Sequence, residues 1–343
     1  MERNFNPSLL AAEYMNTHTP LMRYNEGEDF SKWQNSAREK LKELLGLPLE
    51  KCEADFKIEY EKQCEDFKEI RFSFQSEKGY YIPCHFLIPN DAKEKMPTFV
   101  CLQGHSPGMH VSLGRIKYEK DRELISGGDR DFAIRAIKEG FCALTVEQRY
   151  MGECGGDGEE TGCASLWNAL PSLLVGRCAI GERVWDTMRA IDVLIANFPI
   201  VDKDNIMCLG NSGGGTATFY VSCIDERIKC AIPSCSVCTY KDSIAAMKHC
   251  CCNYVPNIAK YFDMGDLCGL IAPRRLIVVA GKKDEIFPIK GVKESYEIIE
   301  KLYAKAGAKD NVRLVIGESG HRFYADKAYG VLKQQRNRSI SKE

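Results

Sequence analysis

A single serine, Ser212, stands among glycines in the stretch GNSGG at positions 210–214. The residues before it, 205–210 (NIMCLG), are typical of a strand, and those after it, 213–222, are typical of a helix. A G-x-S-x-G pattern at a strand-to-helix turn holds a serine hydroxyl above the sheet, beside a helix N-terminus that favours developing negative charge. The pattern therefore predicts a nucleophilic serine.

Two other interpretations also fit a glycine-rich turn. A phosphate-binding loop is disfavoured, because the lysine of a P-loop is missing and G-x-G-x-x-G does not fit. A turn without chemistry stays open from this motif alone. The rest of the sequence has to decide between such a turn and a nucleophilic serine.

A nucleophilic serine needs a base, and an acid that orients the base. Asp284 lies just beyond the apolar run 274–281, and His321 lies just beyond the next strand-like run. Because the carboxyl ends of parallel strands meet at one edge of a sheet, both side chains can converge on Ser212. The order Ser, Asp, His is that of the α/β-hydrolases. Glu285, next to Asp284, is the alternative acid.

Acyl transfer also needs two hydrogen-bond donors for the developing oxyanion. We expect one donor to be the backbone N–H of Gly213, the residue after the nucleophile. We expect the other to be the backbone N–H of His105, in the loop after the strand-like run 98–103 (TFVCLQ). Gln103, Gly104 and His105 occupy the place of the His-Gly-X segment of lipases.

The elements that position these residues alternate between strand and helix. Apolar runs predict strands at 98–103, 141–147, 205–210, 229–234, 274–281 and 312–317, and helical spacing predicts helices at 130–140, 181–199, 213–222, 291–307 and from 323 onwards. This alternation predicts an α/β fold with a mainly parallel central sheet flanked by helices.

The remainder of the chain suggests the domain organisation. Residues 1–50 are expected to form an N-terminal helical extension packed on the core, and residues 51–343 the catalytic domain. The first part of that domain is rich in strand-like segments, with a hairpin turn at Lys78-Gly79. Residues 151–178 contain many glycines and are expected to be an irregular insertion.

Composition excludes several classes of protein. The chain has 343 residues, is 44% hydrophobic and carries a formal net charge of −1. Its basic residues are spread out, so we expect neither nucleic-acid nor membrane-surface binding. We see neither a signal-peptide core nor a run of spanning length, so we expect a cytoplasmic protein. The oligomeric state stays open, a homo-oligomer included.

The 17 cysteines are expected to be free thiols, because several lie in apolar strand-like runs and a reducing compartment would keep them reduced. Cys235-x-x-Cys238 and the stretch HCCC at 249–252 loosely fit a zinc site. A clear four-ligand spacing is lacking, so we expect no metal and no cofactor, and any role for Cys250 beyond packing stays open.

Several motifs resemble those of one family across nearly the whole chain. They are TPLMRY…W…LKELLG, LLVGRCAIGERVWDTMRAIDVL, LGNSGGGT, DMGDLCGLIAPR, GKKDEIFP and GHRFY. The chain resembles the α/β-hydrolases described as acetyl xylan esterase-like or dienelactone hydrolase-like. The resemblance implies an α/β-hydrolase fold and a triad of Ser212, Asp284 and His321, without fixing a substrate. Gln103 stands where many relatives have histidine.

From these residues we expect a serine hydrolase that cleaves carboxylic esters through the triad and an acyl-enzyme. We expect its substrates to be short-chain acyl esters, acetyl above all, of a carbohydrate or a small alcohol. Gln103, Trp167 and Cys235 are the candidate residues of the substrate pocket. A serine peptidase of the prolyl-oligopeptidase type is the alternative enzyme, although the roughly 90 residues before the core are too few for a propeller. A catalytically inactive hydrolase fold used for binding is the alternative without an activity.

Overall fold

The computed structural model describes residues 7–156 and 165–340, and these contain a nine-stranded sheet. The strands are β1 (Lys57–Gln63), β2 (Phe67–Glu77), β3 (Tyr80–Pro89), β4 (Met96–Leu102), β5 (Cys142–Val146), β6 (Val201–Asn211), β7 (Ile228–Ser234), β8 (Arg275–Gly281) and β9 (Val312–Gly317).

The strand order places a crevice at the centre of the sheet. In space the order is β1-β2-β3-β5-β4-β6-β7-β8-β9, and the strands from β5 to β9 pair in parallel. The chain leaves β4 on one side, for β5, and then returns on the other side, as β6. In a parallel sheet this reversal opens a crevice at the carboxyl ends of the two central strands, where ligands bind.

Helices cover both faces of the sheet. They are α1 (Pro7–Thr17), α2 (Phe30–Leu45), α3 (Phe132–Lys138), α4 (Ser165–Leu173), α5 (Ala179–Asn197), α6 (Gly213–Ile224), α7 (Ile258–Tyr261), α8 (Met264–Cys268), α9 (Ile289–Lys305) and α10 (Ala325–Ile340). On β6, Cys208 packs on the face covered by α5 and α6, whereas Met207 and Leu209 pack on the face covered by α3 and α10. The predicted α/β architecture is confirmed.

The predicted strands and helices of the second half are confirmed, with ends that differ by a few residues. The predicted hairpin is also confirmed. β2 and β3 pair antiparallel around a turn in which Gly79 has a φ of 81°, a conformation that glycine adopts without strain.

The prediction that 151–178 is irregular was wrong in part. The segment contains α4, a nine-residue helix, and α5 begins just beyond it. None of the glycines that suggested an irregular segment lies within α4. Those in 157–164 are outside the described residues. Ala169 of α4 is buried, so the segment is anchored to the molecule by packing.

The N-terminal part packs on the core through α2. Asp29 caps this helix by accepting a hydrogen bond from the Lys32 backbone N–H at 2.8 Å. Gly46 ends it with a φ of 71°. Trp33 is buried, and the guanidinium of Arg38 donates to the carbonyl oxygen of Cys223, at the end of α6. The helix is thereby tied to the same core as the strands.

The described residues form no helix that is long and apolar enough to cross a membrane. Among the cysteines that the structure describes, those other than Cys250, Cys251 and Cys252 are free thiols, as expected.

Candidate active site

The turn between β6 and α6 holds Ser212 in a strained backbone conformation. Its φ is 58° and its ψ −127°, a region that non-glycine residues rarely adopt. The Ser212 N–H donates to the carbonyl oxygen of Ser234 at 2.9 Å, and the Ser212 carbonyl accepts from Thr216 at 2.8 Å. These bonds to β7 and to α6 hold the strained serine at the carboxyl edge of the sheet.

Glycine is required beside this turn. A Cβ on Gly214 would collide with the carbonyl oxygen of Leu102, at the end of β4, and a Cβ on Gly210 would collide with the backbone of Gly214. The helix can therefore approach the sheet closely only because these side chains are absent.

Asp284 and His321 form a hydrogen-bonded pair beyond the ends of β8 and β9. His321 Nδ1 lies 2.8 Å from Asp284 Oδ2. The other carboxylate oxygen of Asp284 accepts from the N–H groups of Ile286 at 2.8 Å and Phe287 at 3.1 Å. The ring of Phe287 stacks on the imidazole, with the ring centres 6.0 Å apart. These contacts fix the orientation of the imidazole.

The charge on Asp284 is stabilised within this pair. Burial acts to raise the pKa of Asp284, but the hydrogen bond and charge of His321 and the two backbone N–H groups outweigh it, so the pKa lies below its ordinary value. Asp284 is therefore ionised at neutral pH and holds Nδ1 of His321 as a donor. Glu285, the alternative acid, is exposed at the surface.

Ser212, Gly213 and His321 line one cavity of about 350 Å³. Nε2 of His321 is buried and has no hydrogen-bond partner within the described residues. The hydrogen bond between this nitrogen and the Ser212 hydroxyl is not formed here. Catalytic hydrogen bonds are often long or open when no substrate is bound.

The loop after β4 passes directly over the serine turn. A Cβ on Gly104 would collide with the carbonyl oxygen of Asn211 and would lie 3.0 Å from Cβ of Ser212. The ring of His105 lies over Gly213, whose added Cβ would be 2.9 Å from Nδ1 of that ring. Gly213 begins α6, so its N–H has no partner within the helix. The two expected oxyanion donors thus belong to backbone segments in contact.

Two of the three candidate pocket residues do not line the cavity. Gln103 does not line the cavity, because its buried amide nitrogen donates to Ser112 Oγ at 2.6 Å and to the Arg130 carbonyl at 2.8 Å. Cys235 is also buried outside the cavity lining, with its Sγ 3.3 Å from the Arg322 carbonyl. The side chain of Trp167 lies outside the described residues.

Sequence reasoning gave no place in the cavity wall to three basic residues, which are Arg130, Lys248 and His249. Arg130 is buried just before α3, where the sequence gives only a charged helix start. His249 was considered only as part of a zinc pattern. The sequence contains no signal that would distinguish such a buried cation from a solvated one.

The cysteines near the site do not assemble as the sequence pattern suggested. Within the described residues, two groups of three metal-ligating side chains have their ligand atoms within 4.8 Å of one another: His105 with Cys250 and Cys252, and Cys235 with Asp284 and His321. Cys235 and the HCCC stretch therefore lie in separate groups. Structural zinc sites take four ligands, which neither group supplies.

A layered α/β sheet with a strained serine at a strand-to-helix turn, and an Asp–His pair beyond later strands, defines the class of α/β-hydrolases. The chain belongs to the abhydrolase family, whose family model matches residues 12–313. The family resemblance inferred from the sequence motifs is confirmed at this level.

Individual relatives are more distant. A proposed hydrolase of Bacillus subtilis (strain 168), YtaP, is 28% identical over 246 residues, which are 70% of this chain and 77% of that protein. A proposed acetyl xylan esterase of Bacteroides fragilis NCTC 9343 has a similar structure, with a TM-score of 0.76, 18% identity and coverage of 92% of this chain and 83% of that chain. A glucuronoyl esterase from Solibacter usitatus has a TM-score of 0.71, 16% identity and coverage of 93% and 97%.

Proposed function

We propose that the protein is a serine esterase that hydrolyses short-chain acyl esters, acetyl esters above all, of a carbohydrate or a small alcohol. The observation that carries this proposal is the strained Ser212 in the same cavity as His321, whose Nδ1 is bonded to Asp284. A serine at such a turn, with a base oriented by a buried carboxylate, is the arrangement that acyl transfer needs.

The reaction proceeds through an acyl-enzyme. Ser212 Oγ attacks the ester carbonyl while Nε2 of His321 takes its proton. Asp284 holds the imidazole in the required tautomer and stabilises its positive charge. The backbone N–H groups of Gly213 and His105 bind the oxyanion. His321 then protonates the leaving alkoxide, and water, activated by the same imidazole, releases the acid.

The relatives favour esters over peptides as substrates. The similar structures include an enzyme named as a glucuronoyl esterase and one proposed as an acetyl xylan esterase, both of which carry carbohydrate names. A peptidase of the prolyl-oligopeptidase type would carry a propeller before its core. In this chain the described residues before β4 form two helices and three strands of the central sheet.

The proposal is tested with p-nitrophenyl acetate, butyrate and octanoate, next to an aminoacyl p-nitroanilide and acetylated xylo-oligosaccharides. We expect kcat/KM to fall from acetate to octanoate and the anilide to be cleaved poorly, because extra methylenes overpack a narrow acyl site. Ser212→Ala should abolish turnover of every ester. A profile that peaks at octanoate would contradict the short-chain preference, and turnover that persists in Ser212→Ala would contradict the esterase mechanism.

The Trp167→Ala variant tests the remaining pocket residue. If Trp167 limits the acyl site, this variant should accept butyrate better relative to acetate. An unchanged chain-length profile would assign Trp167 to packing and would leave the proposed chemistry in place.

A further inference from the structure

Arg130 is a buried cation that faces the catalytic cavity. Its side chain lines the same cavity as Ser212 and His321, although the residue is only 7% exposed. No ion pair or side-chain hydrogen bond of its guanidinium occurs within the described residues, and its Nε is buried without a partner. Buried arginines are ordinarily paired with a carboxylate or bonded to backbone carbonyls.

The acidic residues nearest in the sequence do not neutralise this cation. Asp129 instead pairs with Arg322 at 2.6 Å and accepts from the backbone N–H of Ala325. Asp131, on the other side, forms no ion pair within the described part of the chain. Asp284, the carboxylate of the proposed triad, is occupied by His321 and two backbone N–H groups.

The rest of the described cavity wall adds a second cation, Lys248, and no anion. Lys248, His105, His249 and His321 line it together with Arg130, and no carboxylate is among the described lining residues. Burial and the neighbouring histidines His105 and His321 lower the pKa of His249, and burial lowers the pKa of Arg130. A wall of this composition attracts an anion and disfavours a cation.

Leaving a guanidinium desolvated and unpaired is unfavourable, and a fold tolerates such a group mainly where it has a function. We infer that Arg130 binds a carboxylate on the alcohol portion of the ester substrate, so that the enzyme selects esters of acidic alcohols. This inference rests on the proposed function, in which the acyl group is a small uncharged acetyl and the charge must therefore lie on the leaving group.

A carboxylate is the anion that best fits the observed group. The planar guanidinium fork presents parallel N–H donors that match the two oxygens of a carboxylate, and the cavity of about 350 Å³ has room for a small carboxylate-bearing leaving group. When the substrate binds, its carboxylate pairs with this fork. The ester carbonyl is thereby positioned over Ser212, so Arg130 is a substrate-binding residue.

The experiment compares 4-acetoxybenzoate with its methyl ester, methyl 4-acetoxybenzoate, in the wild type and in Arg130→Met. The two substrates share the acetyl group and the ring but differ in charge. We expect the ratio of their kcat/KM values to fall by about tenfold or more in the variant, since a charge-assisted bidentate contact is lost. Arg130→Lys, which keeps the charge without the fork, should give an intermediate ratio.

A matched control removes a cation that does not face the cavity. Arg122 is exposed and not among the lining residues, so Arg122→Met should leave the ratio unchanged. An equal loss on both substrates in Arg130→Met would overturn the inference and would assign Arg130 to the oxyanion or to folding. No loss on either substrate would overturn it as well.

A second measurement needs no variant. Benzoate should slow the labelling of wild-type Ser212 by a fluorophosphonate more strongly than benzamide does, because only benzoate carries the charge. Equal protection would overturn the inference, and stronger protection by phenyl phosphate than by benzoate would overturn the choice of a carboxylate. If neither acetoxybenzoate is hydrolysed and Ser212 is not labelled, the proposed function fails and the inference fails with it. If both esters are hydrolysed without discrimination by charge, the inference fails and the proposed function stands.

Discussion

Two adjacent carboxylates, Asp284 and Glu285, follow the same strand, and their surroundings separate them. Asp284 is buried and accepts three hydrogen bonds, one from His321 and two from backbone N–H groups. Glu285 is exposed. Although the two residues are adjacent in the sequence, Asp284 orients the imidazole and Glu285 faces solvent.

This difference predicts a large loss of activity for one variant and almost none for the other. Asp284→Asn should lower kcat by roughly 10⁴, because the amide stabilises the wrong tautomer of His321 and cannot stabilise the imidazolium. Glu285→Gln should change kcat by less than about twofold, as expected for a surface position. The measurement is steady-state turnover of p-nitrophenyl acetate. A larger loss in Glu285→Gln would move the acid role to that residue.

At the residue scale, the sequence predicted the residues that a motif names and missed those that only a cavity brings together. Ser212, Asp284 and His321 follow from residue type, order and position after strands. Arg130 could not be predicted, because its burial depends on packing between the loop before α3 and the loop of Gln103, which are far apart in the sequence. The roles of the first three stay predictions until they are tested.

At the scale of elements, the close approach of α6 to β4 depends on glycine. Gly214 sits where any Cβ would collide with the Leu102 carbonyl oxygen. For Gly330, within α10, an added Cβ would have no atom within 4 Å beyond its chain neighbours and the backbone of its own helix. The two positions therefore form a matched pair for the same substitution.

We expect Gly214→Ala and Gly330→Ala to have opposite effects. Gly214→Ala should lower the free energy of unfolding by about 1–3 kcal/mol through overpacking, and it should reduce esterase activity because the serine turn shifts. Gly330→Ala should raise the free energy of unfolding by about 0.5–1 kcal/mol, because alanine favours the helix. Urea denaturation measures both, and a stabilised Gly214→Ala would contradict the described packing.

The segment after β5 is held by a buried carboxyl group. Glu147 accepts from the backbone N–H of Met109 at 3.0 Å and from that of Glu153 at 3.3 Å, and it thereby joins two loops near the site. Burial raises the pKa of Glu147 to about 8, against which the backbone N–H groups act. The folded protein therefore keeps Glu147 protonated at pH values where the unfolded chain has lost the proton.

This raised pKa predicts a stability that falls as pH rises. The contribution of Glu147 is complete below its ordinary pKa of 4.5 and is lost as pH rises towards about 8. Within that window it lowers the free energy of unfolding by up to about 1.4 kcal/mol per pH unit. Glu147→Gln should remove this slope, as measured by urea denaturation at several pH values. A wild type and variant with parallel pH profiles would contradict the buried proton.

The elements also show where sequence patterns stop being informative. Strands and helices with clear periodicity, such as those around Ser212, were predicted within a few residues. The helix α4 was missed because it is short, contains Pro171 and lies next to glycine-rich sequence. Such a helix is stabilised by burial of residues such as Ala169, which local propensity does not report.

At the scale of the whole molecule, one buried ion-pair network joins the antiparallel part of the sheet to the helices. Arg149 lies 2.8 Å from Glu77 of β2 and 2.8 Å from Asp186 of α5, and Glu182 of α5 is also close. Arg149 and Asp186 are buried. The sequence predicted the strands and the helix but not this network, because Arg149 is more than 30 residues from each of its acidic partners.

Breaking this network should destabilise the fold strongly. Arg149→Met should lower the free energy of unfolding by about 3–5 kcal/mol, because it leaves Asp186 as an unpaired buried charge. The control is Lys282→Met, which removes an exposed cation paired with Glu318 and should change stability by less than about 1 kcal/mol. Denaturant titration compares the two. Equal effects would show that the buried network adds nothing beyond a surface pair.

The whole sheet serves one purpose in this account, which is to bring a strained serine to the carboxyl edge beside an oriented imidazole. The most direct test labels the protein with a fluorophosphonate and locates the adduct by peptide mass spectrometry. We predict one adduct per chain, on Ser212, formed much more slowly in His321→Asn and absent in Ser212→Ala, with esterase activity lost in proportion to labelling. An adduct on another residue, or activity that survives complete labelling of Ser212, would contradict the account.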